Sequence, residues 1–126
     1  MISEQLTLTA QVAVDHIMSS VKGARAVLIA SEDGFEVAAR VENTAQISRL
    51  SAIASSLSAL GTVAGSESQL GACEYVSIQA TDGHILTVNI NCQHVNLIAS
   101  IVTSKEAITG QVLYFSRQAL EPLRSI

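Results

Sequence analysis

The sequence has no tryptophan, one proline, two cysteines and four aromatic residues: Phe35, Tyr75, Tyr114 and Phe115. A core built from it must be aliphatic, because aromatic rings can supply little of the buried volume. Charge is scarce too. Asp, Glu, Lys and Arg make up 14% of the chain, against roughly 25% in ordinary soluble domains. Such a shortage points to surface hidden in an assembly. The net charge of −4 comes without any basic cluster, which argues against a nucleic-acid partner. No uninterrupted apolar run reaches the ~18 residues of a membrane span. The opening MISEQLTLTA carries neither the basic nor the apolar region of a signal peptide, so the expectation is a cytoplasmic protein. In that compartment Cys73 and Cys92 are free thiols, not a disulfide.

What is present is a hydrophobic fraction of 48% over 126 residues, enough for a core without staples and read as one domain spanning 1–126. The chain is organised around Ile47 to Ser68. Apolar or small residues recur at Ile47, Leu50, Ala54, Leu57, Gly61 and Ala64, the spacing of one helix face. Apart from Arg49 and Glu67, most of the remainder is small: Ser48, Ser51, Ala52, Ser55, Ser56, Ser58, Ala59 and Thr62. Small side chains let another helix approach closely, so this helix is expected to meet a partner on a second face. The plainer alternative is a central helix packed inside one domain.

Before it, Ser3 caps a helix with Leu6, Ala10, Ala13, Ile17 and Val21 at helical spacing, and Gly23 ends it. Ala24–Ala30 reads as a strand, Asp33-Gly34 as a tight hairpin turn, and Phe35–Val41 as the returning strand, with Glu36 and Arg40 guarding an edge. Asn43 and Gln46 have capping-box spacing at the start of the central helix, and Gly65-Ser66 begins its fraying. Three strands follow: Cys73–Ala80, a turn at Asp82-Gly83, His84–Asn91, and His94–Val102. Thr103 and Glu106 read as a second capping box, opening a last helix that runs to about Glu121 with Ile108, Val112, Phe115 and Ala119 inward. The order α-β-β-α-β-β-β-α predicts an α+β domain with a central antiparallel five-stranded sheet. The central helix is placed on one face of the sheet and the two terminal helices on the other.

The run Val21-Lys22-Gly23-Ala24-Arg25-Ala26-Val27-Leu28-Ile29 before Asp33-Gly34, the small-residue helix, Glu74-Tyr75-Val76-Ser77-Ile78 before Asp82-Gly83, and Gly110-Gln111-Val112-Leu113 resemble the Roadblock dynein light chain family in order and spacing. The resemblance covers about residues 3 to 124 and lies closest to its stand-alone bacterial, MglB-like branch. It implies a Roadblock, profilin-like fold and a non-enzymatic homodimer that regulates or scaffolds a small Ras-like GTPase, a GTPase-activating role being one form of that regulation. It also implies a dimer interface of Ser48, Ala52, Ser55, Ser56 and Ala59 on the helix, with Glu74, Tyr75, Val76, Ser77 and Ile78 on a self-pairing strand.

Searching for chemistry independently yields little. Cys92-x-His94, with His84 drawn in across the hairpin, would supply a partial metal set, but ordinary strand-end residues are the simpler reading and no metal is expected. Cys73, His84 and Asp82 sketch a nucleophile, base and orienter, yet Asp82 is already explained by its turn. Gly61, Gly65 and Gly71 are not followed by the Gly-Lys-Ser/Thr of a phosphate loop. The expectation is no enzyme, no catalytic residue and no cofactor. Arg49 and Arg117 are the candidate partner-binding residues, Arg49 being placed where family members meet a GTPase and weighed as an arginine finger. The runner-up function is a small-molecule sensor of similar α+β architecture, which a large apolar pocket with convergent polar groups would favour.

Overall fold

The computed structural model describes residues 2–126. Helix α1 (Glu4–Ser20) starts where Ser3 Oγ accepts a hydrogen bond from the Leu6 amide at 3.1 Å. It ends before Gly23, whose φ of +88° turns the chain into the sheet. Strand β1 (Ala24–Ser31) and strand β2 (Glu36–Val41) form the expected hairpin. Gly34, also at φ +88°, donates from its amide to the Ser31 carbonyl at 3.0 Å.

Asn43 caps, but not as a box. Its side chain accepts from the Ala45 amide at 3.0 Å and opens a 3-10 turn, Thr44–Gln46. Helix α2 (Ile47–Glu67) follows without a side-chain cap. It continues through Gly65-Ser66, where the sequence predicts fraying. An 18-residue window within Thr44–Glu67 has a mean hydropathy of 1.2, enough for a membrane span by length and composition alone. One side of the helix is nevertheless packed across all five strands.

The remaining strands are β3 (Tyr75–Ala80), β4 (Gly83–Asn91) and β5 (Asn96–Ser104). The five strands run antiparallel in the order β2-β1-β5-β4-β3, leaving β2 and β3 at the edges. The proposed capping box at Thr103 and Glu106 is overturned. Thr103 is the buried partner of His84 in the β4–β5 ladder, and its hydroxyl donates to the His84 carbonyl. Thr is β-branched and suits a strand as well as a cap, and the strand won. Helix α3 (Thr109–Leu120) therefore begins later, with Val112, Ser116, Ala119 and Leu120 buried. Ile108, assigned inward from the sequence, is 61% exposed.

α1 and α3 pack against one another and cover one face of the sheet, while α2 lies on the other. The larger core is on the α1/α3 side and is aliphatic, with Ile17, Val27, Ile29, Leu86, Ile90, Leu97, Ile101 and Leu120 all fully covered. The α2 side is thinner, resting on Ala54, Leu28, Ala30 and Ile98 beside the buried hydroxyls of Ser51 and Thr87. A thin contact holds α2 close to the sheet and leaves its outer half uncovered.

Candidate self-association surface

Strand β3 ends the sheet, and its backbone shows which groups it leaves free. The Asn89 amide donates to the Glu74 carbonyl at 3.1 Å, and Tyr75 lies opposite Val88. Hydrogen-bonded and non-bonded pairs alternate along an antiparallel ladder. Val76, Ile78 and Ala80 therefore turn their backbone groups to β4, whereas Tyr75, Ser77 and Gln79 turn theirs outward. Tyr75 is 40% and Ile78 38% exposed on this bare edge. β3 carries no Lys, Arg, Asp or Glu, while the opposite edge, β2, carries Glu36 and Arg40. Arg40 reaches Asp15 of α1 at 3.9 Å.

The outward face of α2 adjoins that edge. Ser48, Ala52, Ser56 and Ala59 are all exposed there, as expected of a small-residue face. Ser55 departs from the set: it is half-buried and its hydroxyl donates to the Glu32 carbonyl at 2.6 Å, so it serves the β1–β2 turn. Sequence reasoning missed three larger members, Ile53, Leu60 and Val63, which are 41%, 66% and 58% exposed. Their spacing of seven and three residues is itself the helical signal that could have found them.

Between the second half of α2 and the lead-in to β3 runs an open groove of about 820 Å³, lined by Leu57, Leu60, Gly61, Ala64, Cys73 and Tyr75. Two glycines make it. A Cβ on Gly61 would stand 2.7 Å from Cys73 Sγ, and one on Gly65 would stand 2.5 Å from the Gly71 carbonyl oxygen. Their role is close approach. Arg117 of α3 closes one end of the groove. Its guanidinium donates to Glu74 at 3.0 Å and lies 5.4 Å from the centre of the Tyr75 ring.

The two candidate partner-binding arginines are thus in different settings. Arg49 is exposed at the start of α2, roughly 18 Å along the helix axis from Gly61. Among the described residues it has no ion-pair partner. Arg117 is exposed too, but is tied to the β3 lead-in by its ion pair with Glu74.

The sketched catalytic and metal sets are not assembled. Cys73 lies against Gly61 on the α2 side, whereas the His84 ring meets Ser77 Oγ at 2.7 Å on the other face of the sheet. His84 and Cys92 stand at opposite ends of β4, about 26 Å apart along an extended strand. Burial holds the His84 imidazole below its ordinary value of 6.5. Burial also pushes the half-buried Cys92 thiol up, against a weaker opposite pull from Arg124.

No family model and no curated protein matches the sequence. The fold does match solved structures. Myxococcus xanthus MglB superposes with a TM-score of 0.84 at 10% identity, covering 98% of this chain and 90% of that one. The gliding protein MglB of Thermus thermophilus gives 0.82 at 14% identity, over 98% and 92%. A Roadblock/LC7 domain from Streptomyces avermitilis gives 0.80 at 16% identity, over 90% and 93%. The chain therefore has the Roadblock/LC7 fold, in the arrangement seen in MglB.

Proposed function

We propose that the chain is a non-enzymatic homodimer whose joined surface binds and regulates a small Ras-like GTPase. The observation that carries the reading is the adjacency of two unguarded features, the bare β3 edge and the outer face of α2, uncharged from Ala52 to Val63 between Arg49 and Glu67. An unpaired strand edge with no Lys or Pro on it invites pairing with a second strand. A neighbouring helix face of Ala and Ser, ringed by Ile53, Leu60 and Val63, offers apolar area to the same partner. A second copy supplies both complements at once, because a two-fold interface is self-complementary. The GTPase follows from the resemblance to Roadblock proteins, supported by the fold shared with MglB.

Discrimination between nucleotide states would reside in the GTPase, whose switch loops order around the γ-phosphate. Arg49 steers that partner toward the platform by its charge. Affinity capture from the native cell extract, with GTP and GDP supplied separately, tests the proposal. The expected result is a small GTPase retained more strongly in its GTP form. Equal retention in both forms, or no GTPase, overturns the functional reading and leaves the fold intact.

A further inference from the structure

His84 is only 4% exposed, yet its ring is tied to the sheet edge. Nε2 lies 2.7 Å from Ser77 Oγ on β3, and the buried Nδ1 has no hydrogen-bond partner among the described residues. Ser77 is the middle one of the three residues that turn their backbone outward. Pairing β3 with a second copy of itself about a two-fold axis is antiparallel. Centring the axis on Ser77 matches all three outward residues with outward residues: Ser77 with Ser77, and Tyr75 with Gln79 on either side. Centring it on Ile78 uses only Ser77 and Gln79. The Ser77 register therefore makes the most backbone hydrogen bonds. In it the two Ser77 Cα atoms lie about 5.5 Å apart, with both hydroxyls on one face and within reach of each other.

A chain of groups then crosses the axis: His84, Ser77, Ser77 of the partner subunit, His84 of the partner subunit. We infer that this chain makes self-association acid-sensitive, the dimer loosening when His84 takes up a proton. The inference rests on the dimer proposed above. With neutral imidazoles, Nε2–H donates to Ser77 Oγ and a hydroxyl proton is shared across the axis. Nδ1 is left as a bare acceptor. Protonation turns Nδ1 into a buried donor with nothing to accept from it. It also sets two cations roughly 8 Å apart, three hydrogen-bond lengths, in a region the interface shields from water. Nδ1 is as buried in the separated chain as in the dimer, but there Ser77 is exposed, water solvates the Nε2 side of the cation through it, and the second cation is gone. Protons therefore bind the separated chains more tightly, and lowering the pH favours dissociation.

Among the described residues no charged group acts on the ring to offset this. β4 and β5 carry no other ionisable side chain. On β3 the only one is Tyr75. The ionisable groups of α3 are Tyr114 and Arg117, and Arg117 is paired with Glu74. Arg25 and Asp82 line the same end of the sheet, and Lys105 and Glu106 lie exposed beyond β5.

The test is a dilution series by sedimentation equilibrium near pH 7.5 and near pH 5, on the wild type, His84→Gln and Ser77→Ala. The wild-type dimer is expected to weaken at least tenfold at the lower pH, each linked proton contributing up to about tenfold per pH unit. His84→Gln should flatten that dependence. If that variant fails to fold, Ser77→Ala, which cuts the chain of groups and keeps every backbone group of β3, should flatten most of it, the affinity of Ser77→Ala near pH 7.5 serving as its own reference. A wild-type affinity unchanged by pH, or a pH dependence preserved in the folded variants, overturns the inference and leaves the dimer standing. A monomer near pH 7.5 overturns the dimer itself.

Discussion

Gly65 illustrates how much a single hydrogen atom decides here. In a free helix, replacing Gly by Ala stabilises by up to about 1 kcal/mol. At Gly65 the added methyl would meet the Gly71 carbonyl oxygen at 2.5 Å, and backbone gives way reluctantly. Gly65→Ala should therefore destabilise by about 1–3 kcal/mol in urea unfolding, in the range of other overpacked sites. Gly110→Ala, on α3 with nothing within 4 Å of the added atom, should be neutral or stabilising. Equal effects of the two would contradict the close-approach account. His84 sets a second expectation. Its folded pKa lies below 6.5, so the unfolded chain binds more protons in acid. Its contribution to folding stability is full above pH ~6.5 and falls as the pH drops through that region. His84→Gln should lessen this acid-side loss in thermal melts taken below pH ~6.5.

At the scale of elements, the proposed dimer rests on α2 and β3, and each can be broken separately. Ala52→Glu or Ala59→Glu would bring a charge against apolar surface. Either should weaken association roughly a hundredfold, about 3 kcal/mol, with circular dichroism unchanged, since both sites are exposed in the single chain. Ser77→Pro should remove an outward-facing amide and leave the ladder to β4 intact. The elements themselves were largely legible in the sequence. Ser3 and Gly23 bracket α1, Asp33-Gly34 and Asp82-Gly83 mark the hairpins, and the apolar runs of β1 and β5 announce strands covered on both faces. The start of α3 was not legible. Thr103-x-x-Glu106 has the spacing of a cap, and only the tertiary pairing of Thr103 with His84 makes it strand. The groove was hidden for a related reason: Gly61 and Gly65 mean something only once the Cys73 segment is folded beside them.

For the whole molecule, the sequence's poverty of charge and the structure's uncovered face describe the same thing. A half-covered α2 next to an unpaired β3 is the surface that the missing Lys and Glu would otherwise guard. Arg49 and the terminal Glu67 are the exceptions on that helix, and the role of Arg49 separates two forms of the proposed regulation. If it steers, Arg49→Ala should slow association with the GTPase and reduce its salt dependence, while hydrolysis in the saturated complex stays unchanged. If it is a finger, hydrolysis there should fall by roughly a thousandfold or more. Its exposed position without an ion-pair partner among the described residues favours steering.

The central claim, that the β3 edge and the α2 face join two copies, is met most directly by weighing the particle in solution. Light scattering at about micromolar concentration should give about twice the 13.2 kDa chain mass for the wild type. It should give the single-chain mass for a folded Ser77→Pro. A wild type at the single-chain mass, or a Ser77→Pro protein that remains dimeric with this strand still protected from hydrogen exchange, would contradict it.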